Sequence, residues 1–339
     1  MRAERRPTTR AVLDAIVGWY AARVYGRIEG DGVVPFYCDP ARVGAFAVEP
    51  ALLAAGDDRA VFRLFVALAM YQSRRDVDIM AIQRAMPRRA AEAMLAPRRL
   101  ELAVEASACR QLRAAAIFDG GCSVYRVPAA GVSTCRERPR TACHVKDATA
   151  AIGRMGDMGK LATSAWLRLR DDGDGGFAGR FARVCAAVAE PAARADALVD
   201  DLASFYRVGE KLATFVVSAL ATPELAPGLT PWHPAVDARH LVVVDANVAR
   251  ITDALRPRGP RTFGARAAWW RTQAAAIDLR RHRPTWPRTS ARLVQQAAYW
   301  FGSRSNRDAA GLPCPAPAAT GCGIPTCPYC APARSVRAG

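Results

Sequence analysis

The sequence predicts an all-α protein of two lobes, and three observations carry that expectation. Apolar residues recur at helical spacing over long stretches, strand-type alternation is scarce, and Gly- or Pro-rich breaks separate the periodic segments. Val12, Leu13, Ile16, Val17, Tyr20 and Val24 lie on one face of a helix expected over 9–28, stopped by Gly-Asp-Gly at 30–32. Phe62, Phe65, Val66 and Met70 mark a second helix over 59–72. Alanine-rich stretches at 88–117 and 179–204 read as helices as well. The strand-like run LVVV at 241–244 is short and runs into a helix-like stretch. Residues 118–148 hold Gly, Pro, Ser, Arg and three cysteines with little periodicity, which reads as a loop or part of an insertion over about 109–148. A core over 59–255 is expected, with 1–58 packing as N-terminal helices against a basic C-terminal region, 256–335.

With 339 residues, 51% of them apolar, the chain has enough for one large core or two modest ones. No run approaches the roughly 20 apolar residues of a membrane span. The basic start MRAERRPTTR is not followed by an apolar run and cleavage site, so a cytoplasmic, nucleoid-associated protein is expected rather than a secreted one. The formal charge of +17 points to a polyanionic partner, nucleic acid before a merely solvated basic surface.

Of 48 basic residues only Lys146, Lys160 and Lys211 are lysines. Arginine supplies charge but stays protonated, so it cannot replace an amine nucleophile. Each lysine is therefore a candidate for chemistry. Ten cysteines are present, and Cys314, Cys322, Cys327 and Cys330 crowd the tail as C-x7-C-x4-C-x2-C. Four thiols this close, in a chain with no export signal, suit a tetrahedral metal site or an iron–sulfur cluster. Cys109, Cys122, Cys135 and Cys143 are spread too widely for a metal motif and read as buried thiols, with a second site including His144 as the alternative. Cys38 and Cys185 read as core.

Residues 202–220, LASFYRVGEKLATFVVSAL, predict a helix ending near Phe205, a turn at Arg207-Val208-Gly209 and a new helix from Glu210. Glycine permits a tight turn, and the N–H groups of a helix start can meet a phosphate. Downstream comes VVVDANVARI at 242–251. The order of hairpin, lysine and V-D-x-N-V-x-R resembles the endonuclease III branch of the helix-hairpin-helix DNA glycosylases. AIGRMGDMGKLA at 151–162 and LFVALAMYQSRRDVD at 64–78 are similar to two further motifs of that family. Arg207 stands where the family has its first hairpin glycine, and the gap from Lys211 to Asp245 is longer than usual.

The resemblance implies that Lys211 is the catalytic amine and Asp245 the catalytic carboxylate. It implies that Gln72, Arg207, Val208, Gly209 and Glu210 contact double-stranded DNA carrying a damaged or modified base. Such an enzyme flips the base out before reaching C1′. A carboxylate stabilises the cationic sugar, and a lysine attacks C1′ and forms a Schiff base, giving base excision with AP lyase activity. Asp245 could equally cap the helix that starts near Ala246, and Lys160 matches a packing turn. His233 and His240 lie in a Pro-rich stretch that could line the base pocket, with Trp232 as a stacking face, or be an ordinary surface loop. The family commonly carries a structural 4Fe–4S cluster at the tail position, though with another cysteine spacing, so zinc stays open. A glycosylase-fold transferase acting on hypermodified thymine in phage DNA, or a non-catalytic DNA-binding module, are the alternative functions. A monomer is expected.

Overall fold

The computed structural model describes residues 8–72, 74–110, 112–119, 122, 143–145, 148 and 158–312. Among them the regular structure is helical, with no β-strand and a single bridge between Tyr25 and Glu29. No helix among them is long and apolar enough to cross a membrane. The chain divides into two compact units. The first comprises 1–34, 222–227 and 237–339, the second 35–221 and 228–236.

In the first unit the Ala291–Gly302 helix is the central element. Ser290 caps it by accepting the Leu293 N–H at 3.2 Å, and nearly every residue along it is buried. The helices Thr9–Arg23, Ala246–Leu255 and Phe263–Ala274 pack on it. Their shared core joins Leu13, Ile16 and Tyr20 to Ile251, Trp270, Val294 and Phe301. The Trp270 indole N–H donates to Thr252 Oγ1 at 2.9 Å, so the buried polar edge of the ring is satisfied. The first helix stops at Arg23, short of the expected Ile28. Gly26 there takes φ +73°, and the Tyr25 hydroxyl donates to the Glu224 carbonyl, which turns the chain before the Gly-Asp-Gly segment. Trp269, Trp270, Trp286 and Trp300, interleaved with arginines in the sequence, are all buried.

The second unit is built around the Asp58–Ala69 helix, capped by Asp57 and buried along most of its length. The expected 88–117 helix is two shorter ones, Arg88–Leu95 and Pro97–Glu105, because Pro97 cannot continue the first, and the second ends at Glu105, well short of 117. The expected 179–204 helix likewise splits into Phe177–Ala187 and Pro191–Ala203. Pro191–Ala203 packs against Glu210–Ala221 as an αα-hairpin, and both Glu210–Ala221 and Phe177–Ala187 pack on Asp58–Ala69. Phe65 lies 5.1 Å from the ring of Phe177 and 5.3 Å from that of Phe205.

Beneath this aromatic cluster lies a buried cation. Arg180 is 2% exposed, and its guanidinium sits 4.8 Å over the Phe205 ring. It donates to both oxygens of Asp201 at 2.6 Å and forms an ion pair with Asp172. Removing one partner of such an array leaves charge without compensation. Arg180→Ala is expected to destabilise the protein by about 3 kcal/mol, read from urea denaturation.

Candidate functional site

The hairpin turn forms where expected, but with a different residue carrying the strain. The helix ends at Ala203, the Phe205 N–H reaches the Leu202 carbonyl at 3.1 Å, and the Val208 N–H reaches the Phe205 carbonyl at 2.9 Å. Arg207 has φ +60°, whereas Gly209 has no left-handed backbone. The glycine was expected to permit the turn; the arginine takes the left-handed position instead. A side chain there costs roughly 1–2 kcal/mol relative to glycine. Neither backbone conformation nor packing within the chain requires glycine at 209, since a Cβ placed there meets no atom within 4 Å.

Two hydrogen bonds tie the end of the Asp58–Ala69 helix to this turn. Gln72 Nε2 donates to the Arg207 carbonyl at 3.0 Å and to the Ala69 carbonyl at 2.6 Å. Lys211 Nζ donates to the Tyr71 carbonyl at 2.7 Å. Tyr71 is buried, so the acceptor is fixed. Burial pushes its phenol well above the usual range, with Asp76 adding to the effect, and the ring stays neutral. The structure thus brings Gln72, Arg207 and Lys211 together. Val208 is buried, while Arg207, Gly209 and Glu210 are exposed. Among the described residues Lys211 has no carboxylate partner. The Tyr71 carbonyl was not legible beforehand, because no sequence pattern marks a backbone acceptor.

Lys160 occupies a different environment in the same unit. It is 4% exposed, donates to the Cys122 carbonyl at 2.9 Å and lies 5.8 Å over the Tyr206 ring. This is a packing role, as its motif implied. Trp232 is buried and stacks on Phe181 with ring centroids 5.6 Å apart, so it is core and not an open face for a base. His233 and His240 are half-buried and belong to the second and the first unit respectively.

Asp245 belongs to the first unit. It is the N-cap of Ala246–Leu255, with Oδ1 accepting the Val248 N–H at 2.7 Å and Oδ2 accepting from Asn247 at 3.1 Å. The neighbouring Asn247 accepts from Arg250. Below it lies a polar chain inside the core. Glu29 accepts from Tyr20 and from Gln296, and Arg292 donates to Gln295 and Gln296. Burial raises the Glu29 carboxyl and the Tyr20 phenol, and it lowers the Arg292 guanidinium to about 10.

Cys314, Cys322, Cys327 and Cys330 lie outside the described residues, as do Lys146, Cys135 and most of the insertion. Cys109, Cys122 and Cys143 pack in one apolar cluster with Phe118 and Leu167. Among the described residues no group of three or more His, Cys, Asp or Glu is arranged to hold a metal. Cys38 is buried, and its thiol is pushed up to about 12, chiefly by desolvation, which suits a core residue. Cys185 is half-buried. Compared with protein-family models, with curated proteins and with solved structures, the chain matches none.

Three substitutions separate conformation from chemistry at these positions. Arg207→Gly removes left-handed strain but loosens the unfolded chain, for a net gain of about 0.5–1 kcal/mol in chemical denaturation. Asp245→Ala should cost about 1 kcal/mol through the lost cap, whereas Asp245→Asn keeps the cap and the stability.

Proposed function

We propose that this chain is a DNA glycosylase with AP lyase activity, acting on double-stranded DNA that carries a damaged or modified base. The observation that carries the reading is the place of Lys211. One of only three lysines follows directly on a helix-hairpin-helix turn, with its amine held on a carbonyl and not in an ion pair. An amine so held is ready to act once neutral. Asp245 supplies the carboxylate, and Asp245→Asn removes the charge while sparing the cap.

The chemistry proceeds through the sugar. With the base flipped out, neutral Lys211 Nζ attacks C1′ and the C1′–N bond breaks. The base leaves with the electron pair and takes up a proton. Ring opening gives an iminium between Nζ and C1′. Loss of a C2′ proton then expels the 3′-phosphate, and water hydrolyses the iminium to free the lysine. Positive charge develops at C1′ in both halves, and an ionised Asp245 stabilises it.

The exposed hairpin supplies the grip on the backbone. The first N–H groups of a helix have no partner within it, and the open space at Gly209 admits a phosphate oxygen close to the chain. Arginines dominate the surface charge, so binding releases counterions. The tail thiols Cys314, Cys322, Cys327 and Cys330 suit a 4Fe–4S cluster, with tetrahedral zinc as the other occupant of the same donor set. Such a group is structural in this reading and takes no part in base removal. Visible absorbance together with iron and zinc analysis of the purified protein decides between them.

Borohydride reduction in the presence of a duplex containing one abasic site tests the reaction. The expected result is a covalent protein–DNA adduct with wild type and none with Lys211→Ala. No adduct with wild type, or an undiminished one with the variant, would overturn the mechanism. Gly209→Ala is expected to leave the melting temperature unchanged while weakening duplex binding about tenfold, equivalent to about 1.4 kcal/mol. Wild-type affinity should fall steeply with salt, with a log–log slope of about −0.9 per phosphate neutralised.

A further inference from the structure

Arg292 poses a question of charge. It lies in the first turn of Ala291–Gly302, is 3% exposed, and has no carboxylate within ion-pair reach among the described residues. Its Nη1 donates to Gln295 Oε1 at 2.8 Å and to Gln296 Oε1 at 2.7 Å. Gln296 passes the contact on, donating from Nε2 to both oxygens of Glu29 at 3.0 and 2.9 Å. A buried cation answered only through an amide is expensive unless other negative charge faces it. Burial acts most strongly on the Arg292 guanidinium, Glu29 is the first carboxylate to offset it, and Asp245 adds a smaller effect.

The second amide leads to the same place through bonds. Gln295 Oε1 accepts from Arg292 and also accepts the Val243 N–H at 3.3 Å. The Val243 carbonyl in turn accepts the Asp245 N–H at 3.2 Å. With its oxygen tethered to the guanidinium, Gln295 presents that oxygen to Val243 in one orientation. The segment entering the Ala246–Leu255 helix is therefore anchored from beneath, in a stretch with no ladder of sheet hydrogen bonds to hold it.

We infer that Arg292, acting through Gln295, is the positioning residue for Asp245, fixing the backbone on which the carboxylate stands. The inference rests on the proposed role of Asp245 for its catalytic consequence, but not for the anchoring itself. Gln295 alone would serve as a helical core residue if it were apolar. A glutamine, and not a leucine, is needed only where both the guanidinium and the Val243 amide require an acceptor.

The test uses the full chain with Gln295→Met, Arg292→Met and Arg292→Lys, and two readouts. One is the single-turnover rate of strand cleavage at an abasic site, with duplex affinity measured separately. The other is amide hydrogen exchange over 241–248. Gln295→Met is expected to slow cleavage about tenfold, equivalent to about 1.4 kcal/mol, with affinity unchanged and exchange over 241–248 accelerated. Arg292→Met should match it, and Arg292→Lys should recover part of the rate by restoring a donor and a charge. Gln295→Met is near in volume to the native residue and carries the test if Arg292→Met does not fold. Wild-type cleavage and unaltered exchange in Gln295→Met would overturn the inference. If wild type itself cleaves nothing, the proposed function fails, and exchange alone decides the anchoring: acceleration supports it and native protection overturns it.

Discussion

The second unit depends on Phe205 staying packed between Phe65 and the buried guanidinium of Arg180. Phe205 is where the Pro191–Ala203 helix has just ended and the hairpin begins. Its burial fixes the direction in which the chain leaves the core. Arg180 cannot move without separating from Asp172 and Asp201, so the anchor resists displacement on two counts, packing and charge. The left-handed backbone of Arg207 is affordable only with such support, because local strain persists where surrounding structure over-determines it. The Gln72 bond to the Arg207 carbonyl adds the last constraint. The amine of Lys211, one turn on, then rests on a carbonyl that belongs to the same buried framework.

The first unit solves a related problem with polar groups. Asp245 stands at a helix start, where its carboxylate is partly committed to the Val248 N–H. A capping aspartate is stabilising in its own right, so its presence is no argument for chemistry. What sets it apart is the layer beneath, in which Glu29, Gln296, Arg292 and Gln295 run through the core to the segment that carries it. Leucine and methionine would fill that volume more cheaply. Within that layer Arg292 Nη1 is satisfied by both amides, whereas its Nε is buried without a hydrogen-bond partner.

The sequence made the helical class, the hairpin and the cap at Asp245 legible, because each rests on local patterns of period, turn and capping. It misplaced the strain at Gly209, since residue preference names glycine for a left-handed turn and Arg207 took the position under tertiary support. It ran helices through 96–97 and 188–190, where Pro97 and Pro191 break them. Trp232 read as a possible stacking face and is core, because aromatic residues in a loop look alike whether they face in or out. The Tyr71 carbonyl and the Arg292 chain were beyond reach. Both depend on residues far apart in sequence meeting through a backbone atom or an amide, and neither leaves a motif.

The scarcity of lysine makes the central claim open to a direct measurement. The adduct formed on reduction with an abasic duplex can be digested and its modified residue located by mass spectrometry. The account predicts that the sugar remnant lies on Lys211. A remnant on Lys160, Lys146 or the N-terminal amine, or no adduct at all, would contradict it.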